Sequence, residues 1–154
     1  MIQRIQTLWL LISLSLSGFL VKGGIVNFIG RDGQKYFTGF SGISKMTESG
    51  TEIIRSSIPL ATLIIGIPVL SVVTILLFKF RRIQRVFAFI LIALSVCMTI
   101  LICYYSYVMV HTYEGHIVPG IKMVFPVLII ISAILTVRGI SKDEALVKSY
   151  NRLR

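Results

Sequence analysis

Four long stretches of the chain contain no Asp, Glu, Lys, Arg or His. They cover residues 5–21, 56–78, 86–110 and 123–137. An α-helix needs about 20 consecutive apolar residues to cross the hydrocarbon core of a bilayer. The pattern therefore predicts four transmembrane helices, with approximate bounds 5–22, 57–79, 83–110 and 119–138.

The longest connection between these stretches is an outer loop at residues 23–56. Two short β-prone runs in this loop flank Asp32-Gly33, a dipeptide that favours a hairpin turn. The loop is therefore predicted to form a small β-hairpin, followed by a mobile Gly- and Ser-rich stretch at 41–49. After the last stretch, Ser141 and Glu144 have the spacing of a capping box, which predicts a new short helix in the tail at 139–154.

The predicted fold class is an all-α membrane protein. Residues 1–154 would form one integral membrane domain: a four-transmembrane-helix bundle with a small extracytoplasmic hairpin and a short cytoplasmic amphipathic C-terminal helix. Short connections favour antiparallel packing of the second span on the third and of the third on the fourth. A cleaved signal peptide is the alternative for the first stretch, with Arg4 as its charged start and Ser15 to Ser17 as its cleavage site.

The composition and charge support membrane insertion and suggest its direction. Of the 154 residues, 55% are hydrophobic and only 14% are charged, which excludes a simple soluble globule. The four-span topology places ten of the 16 Lys and Arg residues on the side of both termini, so the positive-inside rule makes both termini cytoplasmic. These cations lie at the ends of apolar segments and form no patch interleaved with aromatics, which argues against nucleic acid as a partner.

Basic residues near the predicted cytoplasmic surface are candidate contacts for anionic lipid or for a partner protein, because such surfaces attract juxtamembrane Lys and Arg. The candidates are Arg81, Arg82, Arg85, Lys142, Lys148, Arg152 and Arg154. The predicted partners are the lipid bilayer, anionic lipid at this surface, and a membrane-protein partner or a second copy of the chain.

The sequence offers little catalytic chemistry. Pumps and proton-coupled transporters keep ionisable groups within the membrane, and the four apolar stretches contain none. No Gly-rich phosphate loop, GxSxG elbow or CxxC pair is present, so we expect no enzymatic activity and no cofactor. His111, Glu114 and His116 are weak candidates for zinc ligands in the outer connection. Cys97 and Cys103 are separated by about 9 Å of helix rise and cannot form a disulfide with each other.

The second span contains a possible binding site at Gly66-Ile67-Pro68. An interior proline removes a backbone hydrogen bond and kinks a helix, and such breaks in membrane helices can line a cavity. Gly66 and Pro68, with Tyr104 and Tyr107 of the third span, are therefore candidates for a lipid or quinone cavity. An aromatic belt at the membrane interface is the alternative interpretation of the two tyrosines.

The two ends of the chain carry a family resemblance. The N-terminal run Met1-Ile-Gln-Arg-Ile-Gln-Thr-Leu-Trp-Leu-Leu11 and the C-terminal run Lys142-Asp-Glu-Ala-Leu-Val-Lys-Ser149, followed by Arg152-Leu-Arg154, resemble domain of unknown function 4293. This family of small four-span proteins of Bacteroidota implies a bacterial cytoplasmic (inner) membrane location and assigns no activity or functional residue. Arg is commoner in the family at the position of Lys148 and Asp at that of Asn151, so tail docking through an Asp would be weakened here.

Three functional hypotheses follow from these observations. The favoured one is a non-enzymatic accessory or scaffold subunit of a cytoplasmic-membrane complex, because catalytic groups are lacking while both ends have specific sequences. The second is a lipid or quinone binder or carrier that uses a cavity at the kinked second span. The third is an outer-loop zinc enzyme.

Overall fold

The computed structural model describes residues 5–31, 33–47 and 50–152, and for residues 113 and 143–152 the backbone alone. This part of the chain contains four α-helices: α1 (Ile5–Val21), α2 (Ile58–Leu76), α3 (Arg81–Tyr113) and α4 (Phe125–Arg152). It also contains five strands: β1 (Gly24–Ile29), β2 (Lys35–Gly39), β3 (Gly42–Thr47), β4 (Gly50–Ser56) and β5 (His116–Val118). Short 3-10 helices at Leu77–Lys79 and Ile121–Val124 precede α3 and α4.

Three helical segments are long and apolar enough to cross a membrane: Ile58–Lys79, Arg81–Thr112 and Ile121–Lys142. Only 28%, 28% and 33% of their most apolar windows are buried within the protein, so most of these apolar side chains face outwards. Helix α1 has 17 residues and a length of about 26 Å, against about 30 Å for a hydrocarbon core. Among the described residues, three helices and not four meet the length requirement, so the prediction of four transmembrane helices was wrong.

An antiparallel sheet lies at the end of the helices where α1 ends and α2 begins. Its strand order is β4-β3-β2-β1-β5. The predicted hairpin is present as the β1–β2 pair. The amide of Gly33, at φ +71°, donates to the carbonyl oxygen of Gly30 at 3.0 Å, and glycine adopts this positive φ without steric cost.

The all-α fold class with only a small hairpin was nevertheless wrong. Strand β3 occupies Gly42–Thr47, most of the stretch that was predicted to be mobile, and β4 pairs with it. Strand β5, from the connection between α3 and α4, adds to the other edge by pairing with β1. A hairpin alone is marginally stable in water, and these added strands satisfy backbone groups that a two-stranded hairpin leaves unpaired.

The sheet has an inner face that packs on the helices. The side chains of Val26, Phe28, Tyr36 and Ile43 alternate along β1 to β3 and are buried. They belong to the same core cluster as helix residues such as Leu60. The other face of the sheet is exposed, with Ile29, Met46, Ile53 and Val118 at its surface.

The four helices pack in a ring. Helix α1 contacts α2 and α4, and α3 contacts α2 and α4, so the predicted contacts between consecutive helices α2, α3 and α4 are present. The first and last helices are joined by the hydroxyls of Ser13 and Ser132, which are 2.6 Å apart. A Cβ atom added to Gly139 would lie 3.3 Å from Cβ of Gln6. Small residues of this kind allow helix backbones to approach closely within membranes.

Helix α4 continues without interruption through Gly139 and Ser141 to Arg152. The prediction of a separate tail helix starting at Ser141 was therefore wrong. Gly139 serves the packing of α4 on α1 and does not end the helix. The capping-box spacing of Ser141 and Glu144 favours the start of a helix at Ser141. In the structure this segment instead continues α4.

The contact of Gly139 with Gln6 can be tested by substituting leucine. We expect Gly139→Leu to lower the free energy of unfolding by about 1–3 kcal/mol, because it overfills the α1–α4 contact. Gly66→Leu is the matched control, because it also replaces a helical glycine by leucine. At Gly66 an added Cβ atom would have no neighbour within 4 Å. The measurement is thermal unfolding in detergent, and equal shifts for both variants would contradict the close contact.

Candidate functional site

Gly66 and Pro68, the two residues of the site predicted at the second span, both lie on α2. Helix α2 runs from Ile58 to Leu76 with Pro68 inside it. A Cβ atom added to Gly66 would have no neighbour within 4 Å. Neither residue lines the two cavities described below.

A cavity of about 590 Å³ instead lies between α3 and α4, beneath β5 and the 3-10 helix before α4. This α3–α4 cavity is lined mainly by apolar side chains, among them Ile102, Val110, Met123, Pro126 and Val127. Its position could not be inferred from a proline or glycine pattern, because it depends on how two distant helices pack.

Of the four residues predicted to line a lipid cavity, the structure places Tyr107 in the wall of the α3–α4 cavity. The Tyr107 ring lies beside that of His111, with the ring centroids 4.4 Å apart, and His111 also lines the cavity. Tyr104 does not line it, and packs edge-on against Tyr105 at 5.6 Å. Tyr107, predicted to line a lipid cavity, and His111, predicted as a zinc ligand, therefore both line the α3–α4 cavity, which sequence analysis did not identify.

Ser106 is the polar residue that distinguishes this cavity. Its side chain is only 7% exposed, lines the cavity, and has a hydroxyl without a hydrogen-bond partner. The other buried serine and threonine hydroxyls on the described helices are all bonded. These are Ser13, Ser17, Ser71, Thr74, Ser95, Ser132 and Thr136.

The candidate zinc ligands lie around the end of α3 but do not form a metal-binding group. Glu114 accepts a hydrogen bond from Arg31 at 2.8 Å in an exposed ion pair. His111 packs on Tyr107, while His116 lies in β5 opposite Ile29. Among the described residues, no three His, Cys, Asp or Glu side chains are placed to hold a metal ion.

The basic candidates lie at the end of the helices opposite the sheet. Arg81, Arg82 and Arg85 are in the first turns of α3, and the exposed Lys142 is in the distal part of α4. Lys148 and Arg152 are on α4, where only the backbone is described, and Arg154 lies outside the described residues. This end therefore gathers cations from two segments that are distant in sequence.

The exposed face of the sheet is a second candidate site, which sequence analysis missed. We call the surface formed by Ile29, Phe37, Met46, Ile53 and Val118 the outer face. Met46 and Ile53 are 59% and 58% exposed, and a groove of about 360 Å³ runs along Ile29, Phe37, Met46 and Val118. The β-branched run in β4 was a signal for this strand, but its pairing partner could not be inferred locally.

Strand β4 adds an uncovered edge to this surface. All seven of its residues are exposed, and it is the terminal strand of the described sheet. An edge strand presents backbone N–H and C=O groups that can pair with another strand. The outer face and this edge therefore offer both apolar side chains and backbone groups to a partner.

A side-chain hydrogen bond also connects the segments next to α1 and α4 at the sheet end of the helices. Lys122, in the 3-10 helix before α4, donates a hydrogen bond from Nζ to the backbone carbonyl of Lys22, just after α1. This hydrogen bond joins the segment that follows α1 to the segment that precedes α4. Cys97 and Cys103 are both free, in agreement with the prediction that they do not form a disulfide with each other.

Three helices with the length and composition of membrane spans, joined to an antiparallel sheet, indicate a membrane protein. The chain belongs to the family described as Domain of unknown function (DUF4293), whose sequence pattern matches residues 2–153. The family predicted from the two ends of the chain is therefore confirmed, and its description assigns no activity. No curated protein and no solved structure matches the chain.

The end of α3 provides a test of the local geometry at this site. Glu114 has φ +46°, the left-handed region that costs a non-glycine residue about 1 kcal/mol. We expect Glu114→Gly to raise the free energy of unfolding relative to Glu114→Ala, because both variants lose the exposed ion pair and only glycine relieves the strain. Chemical denaturation in detergent measures this difference, and an alanine variant as stable as the glycine variant would contradict it.

Proposed function

We propose that this protein is a non-enzymatic, multi-pass accessory or scaffold subunit of a bacterial cytoplasmic-membrane complex. In this proposal, the helices anchor the protein in the bilayer, and the sheet binds a partner protein through its outer face. The observation that carries the proposal is the set of large apolar side chains exposed on the face of the sheet that points away from the helices.

The chemistry of the outer face favours a protein partner. Large exposed apolar side chains bordered by polar residues, here Asn27 and Lys35 beside the groove, are typical of interaction sites. Met46 and Ile53 lie on adjacent strands of this face, and the groove beside Met46 can receive an apolar side chain. The uncovered edge of β4 allows the same partner to add a strand, a recurrent mode of peptide recognition.

The distribution of cations supports an orientation for this subunit. Arg81, Arg82 and Arg85 lie at the end of the helices opposite the sheet, together with the distal part of α4. The positive-inside rule favours a cytoplasmic location for this end, where the cations would contact anionic lipid. The sheet is then extracytoplasmic, and the α2–α3 turn and the distal part of α4 are cytoplasmic.

The partner surface can be tested with adjacent substitutions on β3. We expect Met46→Glu to reduce partner retention about tenfold, because binding would bury an uncompensated carboxylate. Thr47→Glu is the matched control, since Thr47 is the next residue on the strand, is also exposed, and points to the opposite face. The measurement is complex size after purification from native membranes in a mild detergent.

Two results would contradict the outer face as the partner surface. One is an unchanged complex in Met46→Glu, and the other is an equal loss in both variants. Co-expression of two differently tagged copies shows whether the partner is a second copy of this chain or a different protein. Co-purification of the two tags would indicate a second copy.

The orientation can be tested with single cysteines in a Cys97→Ser, Cys103→Ser background. Lys35→Cys places the thiol on the sheet, and Lys79→Cys places it at the α2–α3 turn; both positions are exposed. We expect a membrane-impermeant maleimide to label the Lys35→Cys protein in intact spheroplasts and the Lys79→Cys protein only after lysis. The reverse pattern would show that the basic end is extracytoplasmic.

A further inference from the structure

We propose that the α3–α4 cavity binds one membrane phospholipid. An ester carbonyl of the lipid accepts a hydrogen bond from the Ser106 hydroxyl, and an acyl chain lies along the apolar wall formed by Ile102, Pro126 and Val127. This site is separate from the outer face of the sheet, and the inference does not rest on the proposed partner binding.

The state of the Ser106 hydroxyl points to a ligand. A buried serine in a helix ordinarily bonds to the carbonyl one turn back, as Ser95 does to Leu91 at 2.7 Å on the same helix. Ser106 makes no such bond, although it is more than nine-tenths buried. Leaving a buried hydroxyl unsatisfied lowers stability, and an acceptor within the cavity would remove that cost.

The position of Ser106 along the bilayer normal favours a phospholipid ester carbonyl as that acceptor. Helix α3 has 33 residues and is about 50 Å long, whereas a hydrocarbon core is about 30 Å thick. A centred α3 therefore extends beyond the core by about 10 Å, or seven residues, at each end. Ser106 lies seven residues before the end of α3 at Tyr113, so in a centred α3 it is at the boundary of the core, where phospholipid ester groups lie.

The walls of the cavity fit an acyl chain that enters from the bilayer. The volume of about 590 Å³ is within the range of small-molecule sites, and the lining is predominantly apolar. Tyr107 and Val127 line the cavity and are also exposed at the outer surface of the helices, at 63% and 48%. Since this surface faces lipid in a membrane, a phospholipid reaches the cavity without crossing water.

The rim of the cavity suits the rest of the lipid molecule. His111 lies one turn beyond Tyr107 towards the sheet and also lines the cavity. A lipid with its carbonyl at Ser106 has its phosphate on this side of the cavity. The imidazole of His111 is therefore placed where the headgroup lies, and apolar side chains are placed where the acyl chain lies.

Photo-crosslinking in nanodiscs tests the proposal. The probe is a phosphatidylethanolamine with a diazirine on one acyl chain, and labelled peptides are identified by mass spectrometry. We expect labels on the cavity segments around residues 99–110 and 123–127, and we expect about fivefold lower labelling in Ser106→Ala, the effect of losing one hydrogen bond. Ser95→Ala is the matched control, because the hydroxyl it removes is already bonded within α3.

A second measurement separates ligand binding from a purely structural role of Ser106. In lipid-free detergent, Ser106→Ala should be at least as stable as the unchanged protein, because it removes an unsatisfied group. Added phosphatidylethanolamine should then raise the thermal midpoint of the unchanged protein more than that of Ser106→Ala.

Three results would overturn the inference. They are equal labelling of the unchanged protein and both variants, equal loss of labelling in Ser106→Ala and Ser95→Ala, and equal stabilisation of the unchanged protein and Ser106→Ala by the lipid. Competition identifies the source of the carbonyl. Displacement of the probe by unlabelled phosphatidylethanolamine supports a phospholipid, whereas displacement by a prenylquinone alone would assign the cavity to a quinone.

Discussion

The packing of α1 against α4 is the contact on which the rest of the architecture depends. The paired hydroxyls of Ser13 and Ser132 and the close approach of Gly139 to Gln6 bring the first and last helices together. Strand β1 follows α1, and β5 lies shortly before α4, so this contact also brings the two strands side by side. The closed ring of helices and the fifth strand of the sheet are therefore consequences of the same packing.

The distribution of polar and apolar side chains in the helices is the reverse of that in a soluble protein. Serine and threonine hydroxyls are buried between helices, while many Leu, Ile, Val and Phe side chains are exposed at their surface. In a bilayer, association of helices relies on close packing and hydrogen bonds, because lipid is as apolar as the side chains. The Ser13–Ser132 hydroxyl pair joins two helices in this way, whereas Ser71, Thr74 and Ser95 bond within their own helices.

The two candidate sites lie where the packing of the helices and the sheet leaves groups unsatisfied. Between α3 and α4, a cavity remains beside the unpaired Ser106 hydroxyl. On the sheet, the inner face is buried against the helices, so the remaining apolar side chains of the outer face are exposed. In the proposed orientation, the cavity would face the lipid and the outer face would face water, so one protein would contact both.

The sequence by itself determined the positions of the four apolar helices, the hairpin turn around Gly33 and the family of the protein, because these depend on local composition and motifs. The tertiary structure decided the addition of β3, β4 and β5 to the hairpin, the continuity of α4 through Gly139, and the position of the α3–α4 cavity beside Ser106. Each of these depends on contacts between segments far apart in the chain, and no local pattern of residues specifies such contacts.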